Sequence, residues 1–224
     1  MNDLPTISGP EQPPARGKAK QLVVFLHGWG ATGDDLIGIS RQWSKPLPGA
    51  RFASPHGHQA CDGNPMGRQW FSFRDETPEA ITRAAVDAAA IINRFLDDEL
   101  ERHGLDDSRL GLVGFSQGAM MAIYVALRRP RPCAGVIGYS GALIGVETLA
   151  DEIRSRPPML LAHGDADQLV PFASLGAAVQ MLGSHDVSVR WHAGKHLGHA
   201  IDGVGLEMGG EFLRDAFKGA HKPK

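Results

Sequence analysis

Short apolar runs alternate with stretches of helical spacing along most of this chain. Residues 22–26, Leu-Val-Val-Phe-Leu, form an unbroken apolar run that stops at His27-Gly28. A run that short and uniformly apolar predicts a strand covered on both faces, as in a parallel sheet. Residues 34–45 follow with Leu36, Ile39 and Trp43 at helical spacing, and Arg51 to Ser54 reads as a second strand stopped by Pro55. From Pro78 to His103, the residues Ile81, Ala85, Ala88, Ile92, Phe95 and Leu96 make one apolar helix face. Thr77 suits the N-cap, Pro78 the first helical position and Gly104 the C-cap.

The alternation continues to the end of the chain. Strands are expected at 109–113, 134–139, 159–162 and 187–191. Helices are expected at 117–128, 146–153, 172–182 and 204–218, with Pro130 and Gly183 as stops. Strand and helix in turn imply right-handed crossovers and a mostly parallel sheet with helices on both faces. Two regions lack a period. Residues 1–20 read as an irregular lead-in with a short edge strand at Leu4 to Ser8. Residues 55–78 form a long loop that holds Trp70, Phe71 and Phe73 close together, and a loop of that length in a compact domain is usually functional or mobile.

Composition narrows the classes. With 224 residues the chain suits one domain with a sizeable core. A net charge of -2 gives no footing for nucleic acid or for anionic membranes. The first twenty residues carry no apolar signal region, and no apolar run approaches a membrane span. A cytoplasmic protein is therefore expected, with Cys61 and Cys133 as unpaired thiols.

The chemistry gathers where the strand at 109–113 runs into Gly114-Phe115-Ser116-Gln117-Gly118 and a helix follows at once. This is the G-x-S-x-G nucleophile pattern in its required setting of strand, tight turn and helix. The glycines permit close backbone approach, and the helix N-terminus favours negative charge near Ser116. A serine hydroxyl needs a base, and the base needs an orienting carboxylate. Downstream, the strand at 159–162 leads into His163-Gly164-Asp165-Ala166-Asp167, which offers two carboxylates. Spacing alone leaves Asp165 and Asp167 both open. Among His192, His196 and His199, the last lies after Gly198 in the loop before the final helix, the place from which a base can reach the serine. These three histidines lack the H-E-x-x-H pattern, so no metal site is read there. An oxyanion hole needs two backbone N–H groups. Gln117, after the nucleophile, and Trp29, in His27-Gly28-Trp29-Gly30, are the candidates.

Together, Phe25 to Gly30, Gly114 to Gly118, His163 to Pro171 and Gly198-His199 resemble the carboxylesterase/phospholipase branch of the α/β hydrolases, which includes acyl-protein thioesterases and lysophospholipase-like bacterial esterases. The likeness spans roughly residues 20 to 217 and implies an α/β-hydrolase fold, so a single domain is expected over 21–219, after the lead-in of 1–20 and before a tail of 220–224. It selects Asp167 as the triad acid beside Ser116 and His199. It implies a serine carboxylesterase that acts on carboxylic esters, thioesters or lysophospholipids without a cofactor. Trp29 departs from the Leu often found there. Few residues separate the strand near Tyr139 from the one near Met159, so no large cap domain is expected. Trp70 and Phe71, with Leu143 and Ile144, are then the expected walls of an acyl site for a small-molecule or lipid ester, the equal alternative being that they anchor their loops into the core.

Overall fold

The computed structural model describes residues 4–219. The chain enters through β1 (Glu11–Gln12) and β2 (Gln21–Leu26), then α1 (Gly33–Ile37), α2 (Ile39–Trp43) and β3 (Ala50–Ala53). A small hairpin, β4 (Gln59–Ala60) and β5 (Arg68–Gln69), lies within the long loop. Next come α3 (Pro78–His103), β6 (Leu110–Phe115), α4 (Gln117–Arg128), β7 (Gly135–Tyr139) and α5 (Leu149–Glu152). The chain closes with β8 (Met159–Gly164), α6 (Ala173–Ser184), β9 (Val189–Gly194) and α7 (Gly203–Phe217).

Seven strands form one sheet in the order β1-β3-β2-β6-β7-β8-β9. Only β1 runs antiparallel; the other pairings are parallel. The order reverses between β2 and β6. β2 leads outward to β3 on one side, while β6 begins the march to β9 on the other. A crevice at the carboxyl ends of two such strands is where open α/β sheets place their ligands.

Strand alternation divides the core into two layers. Leu22, Val24 and Leu26 face one helical layer with Ala85 and Ile92 of α3, Met121 of α4 and Leu182 of α6. Val23 and Phe25 face the other, with Leu36 of α1, Trp43 of α2 and Phe212 of α7. In this second layer Phe25 stacks on Phe52 at 6.0 Å between ring centroids and meets Trp43 at 5.7 Å. α4 is buried nearly all round because it lies between the sheet and α3. The long α3 has the expected limits, from Thr77 in extended backbone to Gly104 at φ 64°.

Several expected elements shift. Leu4 to Ser8 is not a strand. The edge pairing falls instead at Glu11 and Gln12, opposite Ala53 and Phe52. Before it, the carbonyls of Ser8 and Pro10 accept from His56 and Ser54, but Pro10 has no N–H to return, so no regular ladder forms. The helix expected over 34–45 divides at Gly38 into α1 and α2. That expected over 146–153 shrinks to the single turn of α5. α6 runs one residue past Gly183, and β9 runs later than expected, to Gly194. Residues 1–3 of the lead-in and the expected tail, 220–224, lie outside the described residues.

Candidate active site

Ser116 stands between the last residue of β6 and the first of α4, with φ 55° and ψ -120°. That backbone is unfavourable for a residue with a Cβ and is held by its surroundings. The Ser116 N–H donates to Tyr139 O at 2.9 Å, while Ser116 O accepts from the N–H groups of Ala119 and Met120. Gly114 and Gly118 make the turn possible. A Cβ on Gly114 would overlap the Gly118 carbonyl, and one on Gly118 would overlap the Leu26 carbonyl. Ser116 is half-buried at the crevice where the strand order reverses.

The exit of β2 lies directly beside it. A Cβ built on Gly28 would come within 3.3 Å of Ser116 Cβ and 3.2 Å of the Phe115 ring. His27, fully buried, fixes this exit: its Nδ1–H donates to Gly28 O at 2.7 Å and its Nε2 accepts from Gly57 N–H at 2.8 Å. Burial holds the His27 pKa below its ordinary value, which keeps the ring neutral as this pair of bonds requires. The Trp29 indole stays 40% exposed but is pinned, because its Nε1–H donates to Gln69 Oε1 at 2.9 Å. The Gln117 N–H, at the first position of α4, has no intrahelical acceptor.

The two carboxylates of the β8 exit do different things. Asp167 has its side chain fully buried, and its Oδ2 accepts from His199 Nδ1–H at 2.7 Å. Its Oδ1 accepts from the N–H groups of Leu169 and Val170 at 2.9 and 3.0 Å. Burial alone would raise the Asp167 pKa, but the bonds from His199, Val170 and Leu169 outweigh it and hold the group below the ordinary carboxylate range. Asp165 is exposed, and its Oδ1 accepts from the His196 backbone N–H at 2.6 Å. It fastens the turn and does not touch His199.

His199 sits in the loop between β9 and α7. That loop is zipped onto the β8 turn by Asp165 N–H to Gly194 O and Ala166 N–H to Leu197 O, both 2.9 Å. Its ring lies 4.8 Å from that of Phe115, the neighbour of Ser116. With Nδ1 committed to Asp167, Nε2 is the nitrogen left for other partners. His196 is exposed, and His192 bonds Asp202 at 2.9 Å, which itself caps α7 through Gly205 N–H. Cys133 lies away from this crevice, in the wall of a 360 Å³ cavity at the amino-terminal edge of the sheet. Burial pushes its thiol up to about 12, so it is protonated at neutral pH.

Residues 10–216 match the model of the phospholipase/carboxylesterase family. The chain belongs to that family. It is 30% identical over 214 residues to the esterase YpfH of Escherichia coli K12, across 93% of this chain and 86% of that one. It is 24% identical to an acyl-protein thioesterase 1 of Gibberella zeae, across 90% and 92% of the two chains. The crystal structure of esterase PE8 superposes with a TM-score of 0.90 at 39% identity, across 94% of this chain and 99% of that one. That of Arabidopsis thaliana SOBER1 gives 0.78 at 22% identity, across 88% and 98%, which bears on the fold. Like its family, the chain is an esterase-type serine hydrolase.

Within this phospholipase/carboxylesterase chain, the expected site residues fall into two groups. Ser116, Gln117, Trp29, Asp167 and His199 come together at the carboxyl ends of β2, β6, β8 and β9. Trp70 and Phe71 do not line a cleft. They are 0% and 1% exposed, because their backbone pairs with the Gln117 side chain and draws both rings into the core. Leu143 and Ile144 are half-buried against the same layer of the core. Sequence reading placed His27 in the His-Gly motif and Arg68 and Gln69 in a possible site-lining segment, but gave none of the three its structural role. The Arg68 guanidinium donates to Gly57 O at 2.8 Å and His58 O at 3.1 Å, which folds the long loop back on itself. The local pattern does not reveal those roles, since Gly57 for His27 and Trp29 for Gln69 lie far off in sequence.

Proposed function

We propose that Ser116, His199 and Asp167 form a catalytic triad that hydrolyses carboxylic esters, and the related thioesters and lysophospholipids, through an acyl-enzyme. One observation carries this reading. The imidazole carried beside the Ser116 elbow is bonded through Nδ1 to a buried carboxylate that two backbone N–H groups already orient.

Ser116 Oγ attacks the acyl carbonyl, and His199 Nε2 takes its proton. Asp167 stays ionised, holds the imidazole tautomer and balances the imidazolium charge. The tetrahedral oxyanion takes hydrogen bonds from the Trp29 and Gln117 backbone N–H groups. Collapse breaks the ester bond, and the leaving alcohol or thiol departs with the proton from His199. Water then adds to the acyl-enzyme, with His199 again as base, and releases the carboxylic acid. The reaction needs no cofactor and acts on a small-molecule or lipid ester.

A fluorophosphonate probe tests the assignment. The native protein is expected to form one covalent adduct, on Ser116, and Ser116→Ala none. An unlabelled native protein, or equal labelling of Ser116→Ala, refutes it.

A further inference from the structure

The two proposed oxyanion donors sit on different elements, Trp29 after β2 and Gln117 at the start of α4. Their relative placement needs a physical cause, and the loop between β3 and α3 supplies one. The Gln117 side chain is fully buried and acts as a strand partner: Oε1 accepts from Trp70 N–H at 2.9 Å, and Nε2 donates to Phe71 O at 2.8 Å. The Trp70 indole Nε1–H donates to His27 O at 2.9 Å. Two residues earlier, the backbone of Arg68 brackets the other end of the same exit: Gly30 N–H donates to Arg68 O at 3.0 Å and Arg68 N–H to Ala31 O at 2.8 Å. Residues 68–71 therefore grip the oxyanion loop on both sides of Trp29 and hold the first residue of α4 by its side chain.

We infer that Trp70 and the Gln117 side chain are positioning residues that set the spacing between the two oxyanion N–H groups. The inference rests on the function proposed above. A donor counts only at hydrogen-bond distance from the place where the oxyanion forms. A shift of about 1 Å in a catalytic group can lower the rate about a hundredfold. Such a shift leaves ground-state binding largely alone, because the charge exists only in the transition state. A merely structural role makes a different forecast: fewer folded molecules, each fully active.

The test uses Trp70→Phe, which keeps a ring but loses the indole N–H, and Gln117→Met, which loses both amide bonds but keeps the backbone N–H. Each variant is titrated with the fluorophosphonate so that kcat is expressed per reactive Ser116. For Trp70→Phe we expect kcat down about tenfold, and for Gln117→Met about a hundredfold, each with KM within about threefold. A trifluoromethyl ketone, whose adduct carries an oxyanion, should lose affinity by the same factors. Native kcat per titrated site and native ketone affinity in Trp70→Phe would overturn the inference, even if Gln117→Met fails to fold. A native protein that the probe does not label overturns the proposed function itself, and the inference with it.

Discussion

Asp167 Oδ2 lies 2.7 Å from Nδ1 of His199, while the second carboxylate two residues earlier, Asp165, bonds the backbone of His196 instead. The two acids share a turn, yet one orients a ring and the other fastens a loop. Replacing Asp167 by Asn keeps the shape but lets the imidazole take the wrong tautomer, so kcat should fall about 10⁴-fold. Asp165→Asn removes one exposed hydrogen bond and should lower kcat less than about tenfold, the scale of about 1 kcal/mol. Steady-state kinetics on a p-nitrophenyl ester rank the two; the reverse order would exchange their roles.

Neutral His27 links stability to pH. Burial lowers its pKa, His56 and Arg68 act in the same direction, and the Gly28 carbonyl and Asp35 oppose them. An unfolded histidine takes up its proton near pH 6.5, whereas the folded one resists until lower pH. The stability tied to this group is complete above about pH 6.5 and declines as the pH falls toward the folded pKa. His58 is shifted the same way, chiefly by burial, and adds to the slope. Urea midpoints measured between about pH 5 and 7.5 should therefore rise with pH, and His27→Gln should flatten the rise. Parallel curves for the two proteins would contradict this account.

Two glycines to alanine should move stability in opposite directions. A Cβ at Gly118 meets the Leu26 carbonyl, so the sheet and α4 must part. We expect Gly118→Ala to lose about 3 kcal/mol, the upper range for overpacking. Gly176 lies inside α6 with nothing within 4 Å of its would-be Cβ. There alanine should add about 0.5–1 kcal/mol by lowering the entropy of the unfolded chain. Thermal melts read both, at about 2–4 °C per kcal/mol in a chain of this size.

Arg129 anchors α3 to the start of β6 without touching the site. Its side chain is 4% exposed and reaches Asp107 and Asp97 at 2.7 Å and Asn93 at 2.8 Å. Removing it leaves Asp107, equally buried, with only the exposed Arg131 at 3.2 Å. Arg129→Ala should destabilise the fold by about 3–5 kcal/mol. Its kcat per fluorophosphonate-titrated site should match the native value, and a loss there would mean that the anchor also shapes the crevice.

The candidate site was the easiest part to place along the chain because turn glycines and chain order leave local marks. Gly114 and Gly118 frame Ser116, and Gly198 precedes His199. The choice of Asp167 came from family likeness, since two acids on one turn look alike until their partners are placed. The long α3 was legible from Thr77, Pro78 and Gly104, each at its proper end. The ends of β8 and β9 were not, because Gly164 and Gly194 pair in the ladder but carry no side chain to register in a hydrophobic pattern. β1 is two residues long and has no period to detect. Trp70 and Phe71 looked like cleft walls because aromatic residues in a loop have no assigned face. The distant Gln117 amide and the His27 carbonyl decide that they turn inward.

The place of His199 in the loop before α7 also ties the proposed chemistry to a single strand pairing. Asp167 follows β8 and His199 follows β9, so the bond between them spans the two strand exits. On the proposed triad, the Ser116 elbow and both oxyanion donors would stand complete on β2, β6 and α4 and still lack a base if β9 parted from β8. The β8–β9 ladder and the Asp202 cap on α7 would then act as a latch on activity, one that opens before the rest of the sheet is disturbed.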